Sequence, residues 1–138
     1  MYVLDASALL VYLNDEPGSN EVEALLDDAL ISAINLAEVL QKATRNGISA
    51  TQLATDISGM GVGSVAFDAS MAAMTAELWP QTKHRGLSLA DRGCLSLAAQ
   101  LGAIAVTTSK AWADLDLPGI DIHLVSLCDQ DLEFCLEF

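Results

Sequence analysis

The chain has 138 residues, of which 52% are hydrophobic and 18% are charged, and its formal net charge is −13. This length predicts a single domain over residues 1–138, and the acidic excess argues against a simple nucleic-acid-binding module, which would present a basic face. No apolar run is long enough to span a bilayer, and Met1 leads into an apolar stretch without a basic leader, so we expect a cytoplasmic protein with no membrane partner. The three cysteines form no Cys-x-x-Cys pair, which favours reduced thiols over a zinc site.

Strands and helices are predicted to alternate along the chain. Short apolar runs that end in polar residues predict strands, and apolar residues spaced three and four apart predict helices. In chain order we predict a strand at 2–4, a helix at 6–13, a helix from a Ser19 cap to about 29, a very short strand at 30–33, a helix from Asn35 to the Asn46-Gly47 C-cap, a helix from a Ser49 cap to about 58, a strand at 64–67, a helix at 69–79 stopped by Pro80, a loop at 81–87, a helix from Ser88 to 101, a strand at 103–106, a short helix at 110–115 and a strand at 120–125. This order predicts a three-layer α/β fold, with a central parallel sheet of about five strands flanked by helices, followed by an acidic C-terminal tail at 127–138.

Three acidic residues stand at similar points in this order. Asp5 ends the first strand, Glu38 lies in the helix that begins Asn-Leu-Ala-Glu-Val, and Asp91 lies in Gly-Leu-Ser-Leu-Ala-Asp-Arg. Each also has an ordinary structural explanation. Asp5 could cap the first helix, Glu38 could pair with Lys42 on a solvated helix face, and Asp91 could complete a capping box with Ser88. Another acidic residue, Asp68, also follows a predicted strand, and we interpret it as a helix N-cap.

These stretches, taken together and in order, resemble the PIN-domain ribonucleases, and in particular the VapC-type toxins of bacterial toxin–antitoxin pairs. The matching runs are Val-Leu-Asp-Ala-Ser at 3–7, Asn-Leu-Ala-Glu-Val at 35–39, Gly-Leu-Ser-Leu-Ala-Asp-Arg at 86–92 and Ala-Val-Thr-Thr-Ser-Lys-Ala-Trp at 105–112. The resemblance covers about residues 1–126. It implies a PIN-like fold and a metal-dependent endoribonuclease that acts as a toxin, forms a homodimer and is neutralised by a small antitoxin protein.

The resemblance also implies a role for each matching residue. Asp5, Glu38 and Asp91 would be the catalytic residues and would bind Mg²⁺ or Mn²⁺ at the C-terminal edge of the sheet. Carboxylate oxygens are the ligands that such hard cations prefer. Ser7 would support Asp5 through its hydroxyl group.

One position departs from the family pattern. The family usually has a fourth acid just after the fourth strand, and this chain has Ser109 there as a neutral supporting residue. Asp114 is the first candidate to replace it as a metal ligand, and Asp116 is the second. The departure leaves open a catalytically weakened PIN domain that acts as a protein-binding module. A haloacid-dehalogenase-type phosphatase is a less favoured alternative, because Ser7 stands where that family has its second acid.

The basic residues are few and lie between positions 42 and 110. We expect some of them to contact the phosphates of RNA around the acidic site, against the alternative that they are ordinary surface residues. The candidate RNA-contacting residues are Lys42, Arg45, Arg85, Arg92 and Lys110. Trp79 and Trp112 are predicted to lie in the core.

Overall fold

The computed structural model describes residues 1–127, and its five strands form one parallel sheet. The strands are β1 (Tyr2–Leu4), β2 (Ala29–Ser32), β3 (Gly63–Val65), β4 (Ile104–Thr107) and β5 (Asp121–Leu124), and their order is β3-β2-β1-β4-β5. Val3 of the central strand pairs with Leu30 on one side and Ala105 on the other. Ligands of open α/β sheets bind at the carboxyl ends of the strands, and Asp5 stands in the middle of that edge.

Helices connect the strands and cover both faces of the sheet. Within residues 1–127 they are α1 (Ala6–Leu13), α2 (Ser19–Glu23), α3 (Ala33–Arg45), α4 (Ala50–Gly59), α5 (Ala69–Glu77), α6 (Trp79–Thr82) and α7 (Leu89–Leu101), with 3₁₀ segments at Leu26–Asp28, Lys83–Arg85 and Lys110–Trp112. Four of the longer helices begin at a residue whose side chain accepts a hydrogen bond from a backbone N–H group of the first turn. These capping residues are Asp5, Ser49, Asp68 and Ser88.

The sheet separates two hydrophobic cores. Leu4 packs with Val39 of α3 on one face, whereas Val3 packs with Leu97 of α7 and with Trp112 on the other. Successive residues of a strand point to opposite faces, so β1 contributes to both cores. The predicted three-layer α/β architecture is therefore confirmed.

The second helix is shorter than predicted. Its N-cap is Gly18 and not Ser19, which is the first residue of the helix. The φ of Gly18 is 100°, in the left-handed region. The helix ends at Glu23, and Ala29 is already part of β2, where it pairs with Tyr2 of β1. The demands of strand pairing therefore override the helical pattern at the end of this segment.

Pro80 does not stop a helix as predicted. The preceding helix ends at Glu77, and Pro80 lies in the first turn of α6, where its missing N–H group has no helical partner to lose. Much of the predicted loop at 81–87 is helical. Trp79, predicted to be in the core, is 53% exposed, whereas Trp112 is fully buried as predicted.

None of the helices within residues 1–127 combines the length and the apolar character needed to cross a lipid bilayer. Apart from Leu127, the predicted acidic tail lies outside the described residues. The assignment of residues 1–138 to one domain stays a prediction.

Candidate active site at the carboxyl edge of the sheet

Asp5 is a buried carboxylate with three hydrogen bonds. It is 3% exposed and caps α1. Its Oδ1 atom accepts from the Ser7 hydroxyl at 2.7 Å and from the Ala8 N–H group at 2.8 Å, and its Oδ2 atom accepts from the Thr107 hydroxyl at 2.6 Å. Burial raises the pKa of Asp5, the three hydrogen bonds oppose that shift, and nearby Asp91 adds to it. No basic side chain within residues 1–127 forms an ion pair with Asp5.

Thr107 is a site residue that the sequence reasoning missed. It ends β4, and its hydroxyl donates to Asp5 while accepting from the Ser109 N–H group at 3.0 Å. The Ser7 hydroxyl in turn accepts from the Thr108 N–H group at 3.1 Å. Two hydroxyl groups thus join the ends of β1 and β4 around one carboxylate. The signals available in the sequence were the position of Thr107 directly after the predicted strand at 103–106 and its place in the run at 105–112 that resembles the family.

Asp91 lies in the first turn of α7 and completes the capping box. Its Oδ2 atom accepts from the Ser88 N–H group at 2.8 Å, and the Ser88 hydroxyl accepts from the Asp91 N–H group at 3.1 Å. The structural explanation considered for this residue is therefore confirmed. The Oδ1 atom of Asp91 has no hydrogen bond within residues 1–127, so it is available to a ligand.

Glu38 is half-buried on α3, and its main electrostatic neighbours are acids. Burial raises the pKa of Glu38 most, Asp91 and Asp5 raise it further, and the lowering effect of Lys42 is the smallest. Glu38 forms no hydrogen bond or ion pair within the part of the chain that the structure describes. The ion pair with Lys42 that would explain Glu38 as a surface residue is therefore not formed within residues 1–127.

Asn35 connects the two helices that carry Glu38 and Asp91. It is fully buried, and its Nδ2 atom donates to the backbone carbonyl of Ala90 at 3.0 Å. Its Oδ1 atom has no partner among the described residues. We placed Asn35 at the start of the helix, but α3 begins at Ala33, which turns this side chain inward. Its position three residues before Glu38, on the same helix face, was the signal available in the sequence.

The two helices also pack closely. A Cβ atom on Gly93 of α7 would lie 2.7 Å from the Cγ2 atom of Ile34 on α3, so a larger residue would force one of the two helices or the Ile34 side chain to shift. Glu38 and Asp91 are therefore carried by two helices in direct contact.

The donor set suits a hard divalent cation by its chemistry and its charge. Burial is the main cause of the raised pKa of Asp5 and of Glu38, neighbouring acids add to both shifts, and none of the three carboxylates of Asp5, Glu38 and Asp91 has a basic ion-pair partner within residues 1–127. As they stand, no three acidic, histidine or cysteine side chains of residues 1–127 lie close enough to hold an ion together. Binding at this edge therefore requires a side-chain rearrangement, which the unbonded Glu38 carboxylate allows.

The position of the usual fourth acid lies beside this group. Ser109 is half-buried and begins the 3₁₀ segment after β4, and its N–H group bonds to Thr107. The side chain of Asp114 is 78% exposed and pairs with Arg85 at 3.6 Å, so the structure does not bring Asp114 to the other acids. We therefore leave it out of the proposed donor set.

The predicted basic rim is only partly on the surface. Lys42, Arg45 and Lys110 are exposed, whereas Arg85 forms an ion pair with Asp114. Arg92 is 8% exposed, so the expected RNA contact by this residue is corrected. Its Nε atom instead donates to the Thr82 hydroxyl at 2.7 Å, which holds α6 against α7.

The sequence matches the model of the PIN domain family over residues 2–117. Among solved structures, the fold is similar to a toxin–antitoxin complex from Klebsiella pneumoniae, with a TM-score of 0.71 at 19% identity over 94% of this chain and 99% of that chain. It is also similar to VapBC2 from Rickettsia felis bound to a DNA fragment from its promoter, with a TM-score of 0.69 at 23% identity over 91% and 98% of the two chains. A third similar structure is VapC20 from Mycobacterium tuberculosis, a Sarcin-Ricin loop cleaving toxin, with a TM-score of 0.66 at 14% identity over 84% and 97%.

At these identities the three structures support the fold alone. No curated protein matches the sequence significantly. The family model covers most of the chain and confirms the resemblance found in the sequence. The chain belongs to the PIN domain family.

Proposed function

We propose that this protein is a metal-dependent endoribonuclease that acts as the toxin of a toxin–antitoxin pair. The observation that carries the proposal is that Asp5, Glu38 and Asp91 are acids without a basic ion-pair partner within residues 1–127, and that burial first and neighbouring acids second raise the pKa of Asp5 and of Glu38. Membership of the PIN domain family supports a nuclease, and the names of similar structures support a toxin.

In this proposal Asp5, Glu38 and Asp91 hold Mg²⁺ or Mn²⁺. Such an ion would stabilise the charge that develops on the scissile phosphate and increase the acidity of a water molecule. Both oxygens of Asp5 are oriented by the Ser7 and Thr107 hydroxyl groups and the Ala8 N–H group. The Ser88 N–H group orients Asp91 and leaves one of its oxygens open.

The substrate side of the proposal depends on the exposed basic residues. RNA binds largely through its phosphates, and Lys42, Arg45 and Lys110 are exposed cations of an otherwise acidic protein. We propose that they contribute phosphate contacts, with Arg85 contributing when RNA displaces Asp114. An antitoxin would cover the same carboxylates, because a basic side chain relieves their repulsion as a metal ion does. The homodimer and the cytoplasmic location stay predictions.

The second candidate function is a PIN domain that binds a protein partner and cleaves RNA weakly. Ser109 favours it, because a neutral side chain takes the place of the usual fourth acid and Asp114 is engaged by Arg85. Membership of the PIN domain family removes the haloacid-dehalogenase-type alternative.

The test uses RNA cleavage by wild type, Asp5→Asn and Asp68→Asn, each with Mg²⁺ or Mn²⁺ and with EDTA. Asp68 is the matched control, because it also follows a strand and caps a helix, with its Oδ1 atom 2.9 Å from the Met71 N–H group. We expect cleavage and growth inhibition to be lost only in Asp5→Asn. Cleavage by Asp5→Asn at the wild-type rate would refute the metal assignment, and cleavage in EDTA would refute the metal dependence.

A further inference from the structure

Helix α6 presents an aromatic side chain to solvent. Trp79 is 53% exposed, and the Nζ atom of Lys83, one turn further along, lies 5.2 Å from the centroid of its ring. Trp112, the second tryptophan of the chain, is fully buried. A large aromatic side chain at the surface commonly serves a binding partner, and this one carries a cation against its ring.

Basic residues follow Trp79 in the sequence. Lys83, His84 and Arg85 are consecutive, in a protein with only six lysine and arginine residues and a net charge of −13. Lys83 and His84 are both exposed. Arg85 pairs with Asp114 at 3.6 Å, whereas Lys83 has no acidic ion-pair partner within residues 1–127. An exposed, unpaired cation on an acidic protein favours a polyanionic partner by charge complementarity. The aromatic ring next to it favours a polyanion that also has flat, stackable groups.

The helix that carries Trp79 is hydrogen-bonded to α7. The Thr82 hydroxyl donates to the Leu78 carbonyl and accepts from the buried Arg92 side chain, both at 2.7 Å. Arg92 directly follows Asp91 on α7. A hydrogen bond therefore holds the helix that carries Trp79 against the helix turn that carries Asp91.

We propose that Trp79 and Lys83 form a stacking platform for single-stranded RNA beside the catalytic edge. A base stacks on the indole ring, and Lys83 binds an adjacent phosphate. Single-stranded nucleic acids are commonly bound in this way, through aromatic side chains next to basic ones. The inference rests on the proposed function, because it assigns a substrate contact for that reaction.

Binding is measured in the Asp5→Asn background, where RNA is not cut. The probes are a short uridine oligonucleotide and an abasic ribose-phosphate oligonucleotide of the same length. We expect Trp79→Ala to weaken binding of the uridine probe about tenfold and to leave the abasic probe unaffected, whereas Trp79→Phe retains most of the affinity. Leu101→Ala, which truncates an exposed hydrophobic residue at the other end of α7, is the matched control and should bind as the background does.

Lys83→Ala tests the phosphate contact separately. Removal of one phosphate contact should lower the slope of log affinity against log salt by about 0.7, the value typical of single strands. Trp79→Phe should leave that slope unchanged. An unchanged slope in Lys83→Ala would overturn the assigned role of the lysine.

Fluorescence gives an independent measurement, because Trp112 is buried and Trp79 supplies the emission from an exposed indole. We expect the uridine probe to quench that emission and the abasic probe to leave it unchanged. Equal affinity of Trp79→Ala and the background for the uridine probe would overturn the platform. An emission change that follows protein concentration, with no response to RNA, would assign Trp79 to a protein contact and also overturn it.

The two proposals fail in different ways. If wild type cleaves RNA with Mg²⁺ and Trp79→Ala cleaves it with the same KM, only the stacking platform is refuted. If wild type neither binds nor cleaves RNA, the endoribonuclease proposal is refuted and the platform with it.

Discussion

The substitution Asp5→Asn separates the capping role of this residue from its proposed role as a metal ligand. Asparagine has the shape of aspartate, so its Oδ1 atom can keep accepting from the Ser7 hydroxyl and the Ala8 N–H group. The Nδ2 group replaces the oxygen that now accepts from Thr107 at 2.6 Å. The Thr107 hydroxyl must then become an acceptor, and a charged hydrogen bond becomes a neutral one.

The expected change in the stability of the metal-free protein is small. Replacing a charge-assisted hydrogen bond by a neutral one costs about 1 kcal/mol. Against this, the raised pKa of Asp5 shows that its negative charge is disfavoured in the folded state despite the hydrogen bonds. We therefore expect the free energy of unfolding of Asp5→Asn in EDTA to equal that of wild type or to exceed it by up to about 1 kcal/mol.

Asp5→Ala provides the contrast, because it removes every acceptor. The loss of the N-cap costs about 0.5–2 kcal/mol, and the buried Thr107 hydroxyl loses its acceptor at about 1–3 kcal/mol, while the partly buried Ser7 hydroxyl also loses its acceptor. We expect this variant to be at least about 2 kcal/mol less stable than wild type in EDTA.

A divalent cation should distinguish wild type from Asp5→Asn. An ion at about 100 times its dissociation constant stabilises the folded state by about 2.7 kcal/mol, and for a chain of this size that raises Tm by roughly 10 °C. We expect this increase in wild type and in the Asp68→Asn control, and none in Asp5→Asn.

Thermal unfolding of the four proteins in EDTA and in a Mg²⁺ or Mn²⁺ titration measures all of these quantities. A full cation-dependent increase of Tm in Asp5→Asn would show that the ion binds elsewhere. Destabilisation of Asp5→Asn in EDTA as large as that of Asp5→Ala would show that the charge of Asp5 serves the fold.

Three further predictions follow from the same site. In EDTA, the free energy of unfolding of wild type relative to Asp5→Asn should fall as pH rises from 3.8, the ordinary pKa of aspartate, through the higher pKa of folded Asp5. The reason is that the folded state retains this proton to higher pH than the unfolded state does. A difference that does not change with pH would contradict the raised pKa. Ser109→Asp should lower Tm in EDTA and increase both the Tm gained with Mg²⁺ and the cleavage rate, and a cleavage rate no higher than wild type would show that the fourth acid is dispensable here. Asn35→Leu removes one hydrogen bond but also the desolvation cost of an unpaired oxygen, so its free energy of unfolding in urea should stay within about 2 kcal/mol of wild type. The gain in Tm with Mg²⁺ should fall in this variant. An unchanged gain would show that Asn35 does not position Glu38 and Asp91.

The features that the sequence predicted correctly depend on local chemistry. The caps at Asp68 and Ser88 are read from residues three positions apart, and the alternation of strands and helices is read from short periodic windows. The family motifs single out Asp5, Glu38 and Asp91 as metal ligands, and that assignment stays a prediction.

The features that the sequence did not predict depend on contacts between distant residues. The hydrogen bond from Thr107 to Asp5 spans 102 positions, and that from Asn35 to Ala90 spans 55. Arg92 was predicted to contact RNA because it adjoins Asp91 in the sequence, but its side chain is buried and donates to the Thr82 hydroxyl. Trp79 was predicted to be buried by its apolar character, and only the packing of α6 shows that it is not.

A comparison of Asp5 with Asp68 shows why capping alone does not account for the site. Each follows a strand and accepts a hydrogen bond from the N–H group three residues later, at 2.8 Å and 2.9 Å. Asp68 does this while exposed to solvent, so a cap requires neither burial nor further partners. Asp5 is buried beside other acids and has two hydroxyl groups arranged around it, at a cost in desolvation that a cap does not explain. A bound cation would account for this arrangement, because the burial and repulsion that disfavour the charged Asp5 carboxylate alone would favour binding of a cation.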